Sequence, residues 1–292
     1  MFGPNKIGEH RYKVTFTHRS KKFQELYKNL TVAIKEKFSL QEYDILFIAG
    51  SGTTGVESVI STIKKEVVVI GKEGKFKERW INLSKYYNYE KFVRKTKKEL
   101  FCQLETSVSE VFEKDGCIVD AISSFPYYDI PKNTDVFITC CNKQLGAFPG
   151  LAIVGVKKGL WDEFKDDGYF SYINLSLYKE YSLNNQTPTT APIALFEHLL
   201  HEVNKIDLEE YRKHIDLASD TIVDAVGREH FIGETRCPVL TFKKSSIPLD
   251  IAERWDLYGL TNEATDYYQI FTYSHPIDDY KNFAKEIKNE SN

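Results

Sequence analysis

With 292 residues, 42% hydrophobic and 14% aromatic, the chain can bury a core for one large domain or for a large and a small one. Charged residues reach 28% yet leave a net charge of -3, which excludes the broad basic field of a nucleic-acid binder. Five cysteines, at 102, 117, 140, 141 and 237, are odd in number and lack CxxC spacing, so neither a disulfide framework nor a zinc ribbon is expected.

Along the chain, Ser20 to Phe38 carries apolar residues at Phe23, Leu26, Tyr27, Leu30, Ile34 and Phe38, the spacing of an amphipathic helix. An apolar strand, Tyr43 to Ala49, runs into Gly50-Ser51-Gly52-Thr53-Thr54-Gly55 and a helix, the opening of an α/β unit. Further short apolar strands are predicted at 66–70, 100–105, 116–120, 135–141 and 150–156, fitting a mainly parallel sheet covered on both faces. From about residue 206 the pattern changes. A long helix (Leu208 to Val226), strands at 236–244 and 266–274, and two more helices indicate a smaller α+β domain at 206–292 after a large domain at 1–205. No run is long and apolar enough to span a bilayer, and the first residues lack the apolar stretch of a signal peptide, so a cytoplasmic location is expected.

The Gly-rich turn between strand and helix has the makings of an anion cradle. Its glycines let backbone approach closely, the helix start supplies unpaired N–H groups, and Ser51 and Thr53 add hydroxyls. Val56 stands where a Walker loop needs lysine. The string also satisfies G-x-G-x-x-G, with Glu73 near the place of a ribose-binding acid, so taken alone it leaves a dinucleotide site open. Two later strands end on chemistry: GCIVD on Asp120, and DVFITCCNK on Asn142-Lys143. In a parallel sheet, successive strand ends open on one edge. An anion cradle, a carboxylate and an amine meeting there are the three groups that pyridoxal 5'-phosphate (PLP) requires, for its phosphate, its ring nitrogen and its aldehyde.

VDAISSF followed by NKQLGAFPGLAIVGV resembles the class V aminotransferases of PLP fold type I, nearest the 2-aminoethylphosphonate transaminases and the alanine or serine–glyoxylate aminotransferases. THRS (17–20), AGSGTTGVES (49–58), LETS (104–107) and QTPTTAP (186–192) occur in the family's order, and the likeness covers about residues 1–200. The resemblance implies an aspartate aminotransferase-like fold with a mainly parallel sheet of the seven-stranded type, and an N-terminal arm (1–19) packed on the small domain. It implies Lys143 as the Schiff-base lysine and Asp120 as partner of the ring nitrogen. Ser51, Gly52, Thr53 and Asn142 would lie about the phosphate, Phe76 on the ring face, and Thr106 and Ser124 around the ring. Thr190, with Thr187 a weaker choice, would reach the neighbouring active site of a homodimer. The activity implied is transfer of an amino group between a small-molecule amine or amino-acid donor and a keto or aldehyde acceptor. A PLP-dependent decarboxylase or lyase, or a non-catalytic relative, are the alternatives.

The sequence departs from that pattern in the small domain. Where the family carries a carboxylate-binding arginine, DYYQIFTYSHP offers Gln269; Arg236 and Arg254 fall outside the motif. His198, His201 and Glu202 share a helix face without HExxH order and are read as solvated, with no metal expected. Adjacent Cys140 and Cys141 point to opposite faces of a strand and are read as buried packing.

Overall fold

The computed structural model describes residues 16–89, 96–165, 171–189 and 193–290. Helix α1 (Lys21–Lys37) starts at Ser20, whose hydroxyl accepts the Phe23 N–H at 3.2 Å, and its Phe23, Tyr27, Leu30 and Ile34 face inward. Burying each such side chain contributes roughly 1.5–3 kcal/mol. The strands and helices then alternate: β1 (Tyr43–Ala49), α2 (Gly52–Thr62), β2 (Glu66–Val69), α3 (Lys75–Tyr89), β3 (Lys97–Cys102), the short pair β4 (Leu104–Glu105) and β5 (Glu110–Val111), β6 (Ile118–Asp120), β7 (Val136–Cys140) and β8 (Leu151–Lys157).

Six of these form one sheet in the order β1-β8-β7-β6-β3-β2. From β2 to β7 the pairing is parallel, as expected, but β8 runs antiparallel to both β7 and β1. The cause is the link: residues 141–150 are too few for the crossover that parallel neighbours need, so the chain turns back on itself. Every residue of β7 is buried, with Phe137 in the core on one face and Val136 and Ile138 in the core on the other. Covering helices on both faces explain why this strand reads as an unbroken apolar run. One face is covered by α1 and α5 (Ile193–Lys205), the other by α2, α3 and α4 (Leu175–Ser182).

The remaining elements are α6 (Leu208–Val226), β9 (Phe231–Ile232), β10 (Val239–Lys243), α7 (Leu249–Arg254), β11 (Tyr267–Phe271) and α8 (Ile277–Glu290). Strands β11-β10-β9 form an antiparallel sheet, and α6 packs along α8 over it around Ile222, Leu240, Phe242, Ile270 and Phe283. The expected arm at 1–19 lies mostly outside the described residues, and Phe16 within it packs against the α1/α5 core. Among the described residues no helix is long and apolar enough to cross a membrane.

Candidate active site

The sheet order puts the ends of β6 and β7 side by side, so Asp120 and the turn bearing Asn142 and Lys143 emerge on one edge. The start of α2 reaches the same place from the end of β1. A cleft of about 630 Å³ opens there, and Ser51, Gly52, Thr53, Phe76, Thr106, Asn142 and Lys143 line it. Its far wall comes from β10, β11 and the 258–265 loop. A second groove, of about 800 Å³, lies between residues 113–132 and α6, where Arg212 donates to Asp129 at 2.6 Å and the Tyr127 hydroxyl to Asp216 at 2.5 Å.

Close packing brings α2 onto the sheet. A Cβ on Gly55 would stand 2.8 Å from Ile138 Cγ2, and one on Gly52 would stand 2.6 Å from Ile122 Cδ1, so a larger residue at either place would force its neighbour to shift. Ser51 holds the N-cap position with extended backbone, yet its hydroxyl makes no capping hydrogen bond. The first turn therefore presents a free hydroxyl and unpaired N–H groups at the positive end of the helix dipole, which suits an anion.

Asp120 is buried behind Ile122 and Trp80. Its Oδ2 accepts the Trp80 indole N–H at 2.8 Å and its Oδ1 the Ile122 N–H at 3.0 Å. Burial pushes its carboxyl up to about 6, against the pull of those two donors. Both donors are neutral, so a cation beside this carboxylate would offset much of its desolvation. Lys143 Nζ sits 5.6 Å from the centroid of the Phe271 ring. Burial lowers its pKa, opposed by attraction to Cys140 and Asp120, and a lowered amine is the more nucleophilic one at neutral pH.

Helix α3 carries Phe76 into the cleft and is fastened at its start by Glu105, whose carboxylate accepts the Phe76 and Lys77 N–H groups at 3.1 and 2.9 Å and the Ser107 hydroxyl at 2.6 Å. Arg79 and Trp80 follow at i+3 and i+4 from Phe76 and so share its face; the Arg79 guanidinium lies 5.2 Å from the Phe76 ring centroid. Lys75, Arg79, Trp80, Ser107 and Ser123 also line the cleft, and the sequence reading had missed them. The 76/79/80 spacing was the available signal.

Of the residues expected at the site, Asp120 and Ser124 are not among those that line the cleft. The buried Ser124 hydroxyl donates to Gln103 Oε1 at 2.6 Å and does not line the cleft; Ser123 does, because the turn after Asp120 exposes the first serine of the pair. Thr187 is buried within its own chain, 3.4 Å from the Thr189 hydroxyl, and Thr190 lies outside the described residues. The solvated reading of the histidine face holds for His201, which is exposed, and is corrected for His198 and Glu202, which are buried; His198 Nδ1 accepts the Phe148 N–H at 3.1 Å, propping the turn that follows Lys143. Cys140 faces the cleft and Cys141 the other side; burial pushes both thiols up, to about 11 and about 12.

Similar proteins agree with this frame. The Thermus thermophilus aspartate aminotransferase of subgroup IV superposes with a TM-score of 0.80, covering 99% of this chain and 98% of that one at 17% identity. The fold is that of the fold-type-I aminotransferases. A PLP-bound phosphoserine aminotransferase from Trichomonas vaginalis matches with a TM-score of 0.74 over 94% of this chain and 90% of its own, at 13% identity. In sequence, the chain is 29% identical over 283 residues to an uncharacterized aminotransferase of Methanocaldococcus jannaschii, covering 81% of this chain and 73% of that protein. It is 27% identical over 219 residues to a soluble hydrogenase 42 kDa subunit of Anabaena cylindrica, covering 61% of this chain and 57% of that one. No protein-family model matches the chain. The resemblance read from the motifs is thus met by the fold of the solved aminotransferases and by the name of the Methanocaldococcus jannaschii relative.

Proposed function

We propose that this chain is a PLP-dependent aminotransferase of the class V type, moving an amino group between a small-molecule amine and a keto or aldehyde acceptor. The observation that carries the reading is the pairing of Asp120 and Lys143 at the ends of adjacent parallel strands, beside a helix start whose serine is not spent on capping. The names of the relatives differ, so the reading rests on this geometry first and on the aminotransferase neighbours second.

The residues present fit PLP. Ser51, Thr53 and the first N–H groups of α2 would hold its phosphate, Phe76 would cover the ring, Asp120 would pair with the ring nitrogen, and Lys143 would carry the aldehyde carbon. When bound, the cofactor supplies an electron-withdrawing ring that makes the proton on the amine-bearing carbon removable. The Lys143 amine would be the base that takes this proton and the acid that returns it, a role suited to an amine whose pKa burial has lowered. Asp120 would keep the ring nitrogen charged, with Trp80 and the Ile122 N–H holding the carboxylate in place. Helix α3, tied by Glu105, holds Phe76 against the cleft. We also propose the homodimer and the two-domain division at about residue 206 that the resemblance implies.

Borohydride reduction of the protein incubated with PLP, followed by peptide mass mapping, tests the assignment. Label on Lys143, and turnover lowered on the order of 1000-fold or more in Lys143→Ala, are expected. Label confined to other lysines would overturn it.

A further inference from the structure

Along β11, Tyr267, Gln269 and Phe271 alternate onto one face, and all three line the cleft. Phe271 is the ring beside Lys143 Nζ, so Gln269 stands two residues, roughly 6–7 Å, further along the strand from the reactive amine. Its carboxamide is held on two sides. Nε2 donates to the Thr106 carbonyl and, at 3.1 Å, to Thr241 Oγ1 on the paired strand. The Thr106 carbonyl can only accept, so the amide cannot be turned over without setting oxygen against oxygen. Both N–H groups are thereby spent, and what Gln269 has left for a ligand is Oε1, an acceptor.

The rest of this wall carries no charge: Tyr258, Asn262, Thr265 and Tyr267 are neutral. The two arginines nearest in sequence are engaged elsewhere, Arg236 with Asp220 and Arg254 with Asp250 and Glu286, and neither lines the cleft. The cleft's other cations, Lys75 and Arg79, sit on the opposite wall on α3, and both are exposed. A carboxylate placed against Gln269 on the β11 side would meet a carbonyl-type oxygen, and the hydroxyl and amide donors elsewhere on this wall carry no positive charge to offset it.

Resting on the aminotransferase reading, we infer that Gln269 selects a substrate with a hydrogen-bond donor, such as a hydroxyl, beside its amine and disfavours a free α-carboxylate. The substrate class is a hydroxylated primary amine, or the aldehyde or ketone derived from it, and not an α-amino acid. Gln269 acts as a specificity-determining residue whose amide orientation Thr106 and Thr241 fix.

L-alanine and L-alaninol differ only in carboxylate against hydroxymethyl and make the matched probe. With the PLP-loaded protein, calorimetry is expected to show alaninol binding at least about tenfold more tightly, the worth of one gained hydrogen bond and one avoided repulsion. Gln269→Arg is expected to reverse that order, and Gln269→Met to bring the two within about twofold. Alanine binding as well as or better than alaninol to the unaltered protein would overturn the inference, whatever the variants do. Alaninol binding more tightly while neither amine changes the cofactor absorbance would leave the inference standing and overturn aminotransfer.

Discussion

The two walls of the cleft place their polar groups by different means. On the large-sheet wall, Lys143 and Ser51 stand just past a strand end or at a helix start, with Asp120 buried at the end of the neighbouring strand, so local chain geometry aims them. On the β10/β11 wall, the decisive group is Gln269, aimed by a carbonyl 163 residues away in sequence. The first wall is charged and poised for proton chemistry; the second is neutral and poised for recognition. Reaction type and substrate choice are therefore set by separate parts of the chain, and each can be perturbed without the other.

The largest expected effect lies on the first wall. Asp120→Asn should lower turnover on the order of 100-fold, as loss of one preorganised charge partner does in a buried site. The same variant tests the carboxyl's burial in cofactor-free protein. Because the folded-state pKa is raised to about 6, the folded chain holds this proton more tightly than the unfolded chain. The stabilisation is full at low pH and is lost as pH rises through about 6. Between pH 4 and 7, the unfolding free energy of the natural protein should fall relative to Asp120→Asn by about 2 kcal/mol, measurable by urea titration. Parallel pH profiles for the two proteins would show that the carboxyl is not held in this environment.

Helix α3 comes next. Glu105→Gln leaves one acceptor oxygen where two now take N–H and O–H donors, and turns an N–H₂ toward them. A loss of about 2 kcal/mol is expected, with weakened cofactor binding because Phe76 and Trp80 move with the helix. Unchanged stability would mean that Glu105 is not what fastens α3. Gly52→Ala should cost about 1–2 kcal/mol, since the new methyl displaces Ile122, itself a lining residue, toward the cleft. If a crystal structure of the variant shows Ile122 unmoved, the close approach of α2 is not as tight as described. Gly52→Ala should leave the preference between alanine and alaninol unaltered, because Gly52 lies away from the β11 wall and from the Thr106 carbonyl that aims Gln269.

The contrast between the walls also explains what the sequence revealed. Asp120 and Lys143 were legible because an apolar run that ends on a polar residue announces a strand end, and parallel neighbours share an edge. Ser51 and Gly52 were legible for the same local reason. The direction of β8 was not, since it depends on how few residues link it to β7. Which of Ser123 and Ser124 faces the cleft depends on the exact turn after Asp120, beyond the reach of periodicity. His198 shares a helix face with His201 and Glu202 and so reads as solvated, while the group it accepts from is a backbone N–H 50 residues earlier. Gln269 could be seen to differ from arginine, but only the fold shows that both its N–H groups are already taken.

The smallest effect separates binding from stability most sharply. Ser20 and Ser51 both occupy the N-cap of a helix, and only Ser20 uses its hydroxyl there. Ser20→Ala should therefore cost about 1 kcal/mol of stability, the usual value of a lost cap, and leave PLP affinity alone. Ser51→Ala should do the reverse, changing the urea midpoint little and weakening PLP about tenfold, because its hydroxyl has no partner until a phosphate arrives. If Ser51→Ala destabilises the cofactor-free protein as much as Ser20→Ala does, the hydroxyl is a cap after all, and the anion cradle loses the group that distinguishes it from an ordinary helix start.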